Sequence, residues 1–77
     1  MSKPKYDSTF AMIEDKASKT AAVVHGVLTS KAHEGNWLTA DDLARHLRTS
    51  RKYIETAIID LAKLGLVRVN SKEMVAA

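Results

Sequence analysis

Residues 39–64 carry two short helical patterns separated by only a few polar residues, and this spacing limits the chain to few folds. Apolar residues recur three or four positions apart on either side of Thr49-Ser50, which is the period of a helix. Thr39 and Ser50 precede the two patterns, and a hydroxyl there can cap the free amides of a helix start. The sequence therefore predicts helices at about 40–48 and 51–64, joined by a tight turn. The apolar residues are Leu43, Leu47, Ile54, Ile58 and Leu61.

The segment before this pair has a longer helical stripe. From Phe10 to Leu28 its apolar residues recur at steps of three and four, which predicts one long helix or two helices joined near Ser18. Gly35 and Asn36 end it, and Trp37 then lies ahead of the next cap, where we expect it to pack as a hydrophobic staple or core wedge. Residues 1–7 are polar and terminal, so we expect a flexible arm there.

The segment after Gly65 changes from helical to strand chemistry. Gly65 is expected to end the second helix as a left-handed cap. "LVRV" alternates apolar and polar residues, "NSK" is typical of a turn, and "EMV" can return as a second strand. We expect a mainly α fold with a small β-hairpin, forming one domain over residues 8–77.

Composition excludes several classes of protein. The 77-residue chain has 45% hydrophobic residues, too many for general disorder, and no cysteine, which excludes disulfides and thiolate metal sites. It has neither a secretory signal nor an apolar stretch near the ~20 residues of a membrane span, so we expect a cytoplasmic protein that does not bind a membrane. His25, His33 and His46 lack the close spacing of a zinc site, and no nucleophile or phosphate-loop motif is present. We expect no metal, no cofactor and no enzymatic activity.

The net charge of +3 is small, but the cations are concentrated at the helix break. Four of them lie around Thr49-Ser50, and the sequence has no acidic residue between Leu43 and Ile54. Such a cluster is either a solvated surface or a face for a polyanion. The four cations are Arg45, Arg48, Arg51 and Lys52.

The helix pair also matches the packing needs of a helix-turn-helix. Ala44 is small enough for two helices to cross closely, with apolar residues one turn to either side. The stretch "LTADDLARHLRTSRKYIETAIIDLAKLGLVRV" resembles the winged helix-turn-helix transcriptional regulators. It is most similar to the small repressors that sense iron-sulfur clusters or nitric oxide, through "SRKYIETAIIDLAKLGLV". The resemblance covers 38–69 and implies a motif at 39–64 and a wing at 66–76.

The sequence departs from that family in ways that bear on function. Arg48 stands where the family usually has glycine, the wing is cut to "NSK", and the long dimerisation helix and the cluster cysteines are absent. The sensing function therefore does not carry over. The resemblance implies a winged fold, which also serves as a protein-protein module in some proteins.

The resemblance places the DNA contacts on the second motif helix and around it. Base reading is expected from its N-terminal residues, with Arg51 able to pair with guanine. Backbone contacts are expected from residues surrounding that face. The base-reading residues are Ser50, Arg51, Lys52 and Thr56. The backbone-contacting residues are Thr39, Arg45, His46, Arg48, Thr49, Tyr53, Arg68 and Lys72.

Together, these expectations describe a transcriptional regulator that binds double-stranded DNA sequence-specifically, as a small repressor acting as a homodimer. Dimerisation is expected through the first helix, by Phe10, Met12, Ile13 and Ala17, with packing on the same chain as the alternative. The rival function is a winged-helix interaction module that binds an acidic protein surface. It would use Ile59, Met74 and Val75, and Ile59 is expected to be exposed because it lies off the Ile54/Ile58/Leu61 stripe.

Overall fold

A computed structural model describes the backbone of residues 5–77 and the side chains from Thr9 onward. The fold is mainly helical, with a small antiparallel sheet of three strands. The helices are α1 Lys5–Lys16, α2 Lys19–Thr29, α3 Ala40–Leu47 and α4 Arg51–Lys63, and the strands are β1 Leu38–Thr39, β2 Val67–Asn70 and β3 Glu73–Ala76.

The N-terminal stripe forms two helices rather than one. The break falls at Ser18, whose backbone is extended and whose hydroxyl accepts a hydrogen bond from the amide of Ala21 at 3.0 Å. Helix α1 begins at Lys5, so the prediction that residues up to 7 form an arm is wrong from Lys5 onward. Residues 1–4 of that arm lie outside the described residues.

Helix α2 is the central element of the core. It packs against α1 on one side and against α4 on the other, and α3 packs against α4. The fully buried side chains come from all four helices, and each contributes ~1.5–3 kcal/mol through burial. The largest are Ile13, Val24, Leu28, Leu43, Ile54 and Leu61.

The predicted hairpin forms, and it gains a third strand. Strand β3 pairs antiparallel with β2, and Asn70 faces Glu73 across a two-residue turn. Ser71 supplies the positive φ of 59° that such a tight turn favours. The short β1 pairs with the other edge of β3 through Leu38 and Met74. The sheet therefore ties the start of α3 to the end of the chain.

Trp37 is not where the sequence suggested. It is 39% exposed and does not belong to the buried core, so its prediction as a core wedge is wrong. Within the described residues, no helix combines the length and the apolar character that crossing a membrane requires.

Candidate nucleic-acid interface

The turn between α3 and α4 is built by local hydrogen bonds at both helix ends. At the start of α3, the Thr39 hydroxyl accepts from the Asp42 amide, and the Asp42 carboxylate accepts from the Thr39 amide, each at 3.1 Å. Hydrogen bonding of the carboxylate to Thr39, chiefly to its backbone amide, and the nearby Arg45 hold the pKa of Asp42 below its ordinary value. Two acids in the first turn, Asp41 and Asp42, also suit the positive end of the helix.

Arg48 makes the turn possible by adopting an unusual backbone conformation. Its φ of 54° and ψ of 48° are left-handed helical, the region where glycine is favoured. The next amide, of Thr49, donates to the carbonyl of Ala44 at 3.0 Å and closes the end of α3. The chain then leaves the helix and reaches Ser50, whose hydroxyl accepts from the amide of Tyr53 and starts α4.

The first turn of α4 contrasts with that of α3 because it contains cations and no acid. Arg51 and Lys52 are exposed there, at the positive end of the helix dipole. A cation in this position costs ~0.3–1 kcal/mol of stability, since the helix start favours negative charge. An anion placed before this turn would therefore be favourable.

Acidic side chains do lie beside the cation cluster in space, although no acid lies between Leu43 and Ile54 in the sequence. Arg51 Nε donates to Glu55 at 3.1 Å, and Arg51 lies 3.7 Å from the Asp41 carboxylate on α3. Both carboxylates are more than half exposed, so each pair is worth ~0.3–0.5 kcal/mol at most. The side chains of residues 9–77 form two ion pairs, both made by Arg51, and Lys52 takes part in neither.

Most of the predicted DNA-contacting residues are exposed, as a contact surface requires. Thr39 and Thr49 are half-buried. Thr56 lies one turn after Lys52, and its hydroxyl donates to the Lys52 carbonyl at 3.1 Å. The exposed residues are Arg45, His46, Arg48, Ser50, Arg51, Lys52, Tyr53, Thr56, Arg68 and Lys72.

An open groove of about 490 Å³ runs between the start of α3, the outer face of α4 and the tip of the hairpin. Three of the predicted contact residues line it together, namely Thr39, Arg51 and Lys72. Two apolar side chains that the sequence did not assign to DNA also line it, Ile59 at 56% exposure and Val69 at 49%. The groove is therefore part charged and part apolar.

His46 lies elsewhere. It lines a second, mostly apolar groove between α1, α2 and the end of α3, where its ring meets that of His33. Its predicted contact with the DNA backbone would thus come from a different groove than that of Arg51 and Lys72. No pattern in the sequence predicts this contact, because His33 belongs to the connection after α2 and is distant from α3 along the chain.

The predicted dimer residues pack within their own chain. Ile13 is 0% exposed and lies in the core, so it offers no surface to a second copy and its assignment to dimerisation is wrong. Phe10, Met12 and Ala17 are half-buried against the same core. The alternative reading, in which α1 packs on its own domain, fits these contacts.

Two of the three residues assigned to the rival protein-binding surface are also buried. Met74 and Val75 are 5% and 6% exposed, while Ile59 is exposed as expected. Among the described residues, no three His, Asp or Glu side chains lie close enough to hold a metal ion between them. Comparison with family models, curated proteins and solved structures gave no match.

Proposed function

We propose that this chain is a winged helix-turn-helix protein that binds double-stranded DNA and regulates transcription by occupying its site. The observation that carries the proposal is the first turn of α4, which exposes Arg51 and Lys52 where positive charge opposes folding. A DNA phosphate would be favourable there, above all beside Lys52, which takes part in neither ion pair. The arrangement of α3, the Arg48 turn and α4, followed by the β2–β3 hairpin, supports a winged motif with α4 as the reading helix.

In this proposal Lys52 and Thr56 lie one turn apart on the exposed side of α4 and contact base edges directly. Arg51 must exchange Glu55 and Asp41 for guanine or phosphate. That exchange is inexpensive because both ion pairs are exposed. Lys72 at the hairpin tip and Thr39 at the start of α3 flank the same groove and are placed to contact phosphates.

The test is a fluorescence anisotropy titration of mixed-sequence duplex DNA across a salt series. Binding should weaken linearly in log salt, with a slope of ~0.9 per phosphate contacted. The double variant Arg51→Ala with Lys52→Ala should lose binding. Its matched control is Lys16→Ala with Lys19→Ala, which removes the same charge at the exposed junction of α1 and α2.

The control variant distinguishes DNA binding by α4 from attraction of DNA to any positive charge on the surface. Equal losses in the two double variants would mean that any two cations serve, which would refute the role of α4. Both variants should unfold near the temperature of the parent protein, since all four side chains are exposed. Absence of binding at low salt would overturn the DNA proposal itself.

A second candidate function, protein binding, has one specific observation in its favour. Ile59 and Val69 are exposed in the groove beside Arg51, and apolar side chains there are more useful to a protein partner than to DNA. The variant Ile59→Ser distinguishes the two functions. It should leave DNA affinity unchanged under the first proposal and weaken capture of the partner under the second.

Homodimerisation remains a prediction that the DNA proposal does not require. With Ile13 buried, a dimer would have to use the outer surfaces of Phe10, Met12 and Ala17 or another face. Sedimentation velocity at the concentrations of the DNA titration measures the state that binds. A dimer would address two half-sites about one helical turn (~34 Å) apart, whereas a monomer would address one.

A further inference from the structure

Two histidines that are distant in sequence meet at the edge of the second groove. His33 lies in the connection between α2 and β1, and His46 lies in the last turn of α3. Their ring centroids are 5.4 Å apart, with the ring planes inclined at 79°. His33 is half-buried and His46 is exposed, so an ion can reach both from solvent.

The hydrogen bonds of Ser30 determine which nitrogen of His33 is free. The Ser30 hydroxyl has one proton, and it donates this proton to the carbonyl of Val27 at 2.7 Å. Its oxygen also lies 3.3 Å from His33 Nδ1, and in that contact it can only accept. With the Ser30 proton directed at Val27, Nδ1 of a neutral His33 donates to Ser30, and the lone pair lies on Nε2. Histidines that bind metals are commonly held in this way, by a hydrogen bond from the other ring nitrogen.

The separation of the rings fits a shared ion. With Zn–N bonds of ~2.0–2.1 Å and a tetrahedral angle between them, two imidazole ring centroids lie ~5 Å apart. The observed centroid separation of 5.4 Å is close to this value. We propose that His33 and His46 form a binding site for a divalent transition-metal ion, with water completing the coordination.

The donor set defines the class of metal. Two neutral imidazoles suit Zn²⁺, Ni²⁺ and Cu²⁺, whereas Mg²⁺ and Ca²⁺ require oxygen ligands. Among these ions the affinity should follow the general order in which Cu²⁺ exceeds Ni²⁺. A bound ion would join the connection after α2 to the end of α3, directly before the Arg48 turn. The site does not depend on the proposed binding of DNA.

The test measures thermal unfolding of the full chain in increasing Zn²⁺, with Mg²⁺ as the comparison ion. Zn²⁺ should raise the unfolding midpoint by an amount that grows with log concentration, because it binds only the folded pair. His46→Asn and His33→Asn should abolish this rise. His25→Asn is the matched control: His25 lies on α2 outside this pair, and it should leave the rise intact.

Two further measurements make the test decisive. Ser30→Ala should weaken Zn²⁺ binding ~10-fold by freeing the orientation of His33. In NMR spectra of the parent protein, Zn²⁺ should shift the ring proton resonances of His33 and His46 but not those of His25. Should His33→Asn fail to fold, the exposed His46 still provides the required variant.

Three results would overturn the site. One is an unchanged midpoint in Zn²⁺, a second is an equal rise in Mg²⁺, and a third is an undiminished Zn²⁺ response in His46→Asn. A Zn²⁺ response lost in His25→Asn but kept in His46→Asn would place the ion elsewhere.

Discussion

Replacing Arg48 by glycine should stabilise the fold and weaken DNA binding at the same time. Arg48 holds a left-handed conformation with φ of 54°, which costs a residue with a β-carbon ~1–2 kcal/mol. Glycine removes that cost but loses ~0.4–1 kcal/mol through the greater freedom of its unfolded chain. The net gain is ~0.5–1 kcal/mol. For a domain of this size, that raises the unfolding midpoint by ~2–8 °C.

The same substitution removes one exposed cation next to the start of α4. If Arg48 contacts a phosphate, the salt slope of DNA binding should fall by ~0.9. The matched control is Arg48→Ala, which removes the charge but keeps a β-carbon in the left-handed region. It should reduce the salt slope equally and give no rise in the midpoint.

Thermal unfolding by circular dichroism and the anisotropy salt series together check both effects. The argument from backbone conformation is refuted if the glycine and alanine variants unfold at the same temperature. An unchanged salt slope in both variants would remove Arg48 from the proposed DNA contacts without affecting the conformational argument.

Two further predictions concern the acids of the interface. Glu55→Gln removes the carboxylate nearest to Arg51, so DNA affinity at low salt should rise ~2–5-fold. The anisotropy titration measures this rise, and an unchanged affinity would mean that Glu55 lies away from the DNA. Asp42→Asn tests the cap of α3. The pKa of Asp42 is lowered in the folded protein, so its carboxylate stabilises the fold above the ordinary pKa of 3.8. This stabilisation is lost as the pH falls through the pKa of Asp42 in the folded protein. Asp42→Asn should therefore be less stable at neutral pH and should lose less stability on acidification, and parallel pH profiles of urea unfolding for the two proteins would contradict this.

The parts of the fold that were correctly predicted depend on local chemistry. Ser50 and Thr39 start helices because a hydroxyl satisfies amides three residues ahead, and Gly65 ends α4 with a φ of 75° because it lacks a side chain. The turn of the hairpin, and the break at Ser18 that the sequence left as one of two alternatives, follow from the same kind of short-range bonding. Each signal lies within a few residues of its effect.

The candidate site was predicted in composition but not in its surroundings. The sequence located the cations and correctly indicated that Arg51 and Lys52 are exposed. It missed the ion pairs of Arg51, because Asp41 reaches it from another helix and Glu55 is the residue directly after the acid-free segment, one turn from Arg51. It predicted the exposure of Ile59 but not that of Val69, which depends on how the hairpin packs against α4.

The sequence alone determined the helices, their caps, the hairpin and the cation-rich turn, because these follow from hydrogen bonds and periodicities that span four residues or fewer. Tertiary structure alone decided that Ile13 is core rather than interface, and that β1 completes a sheet. It also brought His33 to His46. These outcomes depend on how α1, α3 and the hairpin pack around α2 and α4. Such packing is set by the combined burial of distant side chains, which no short segment encodes.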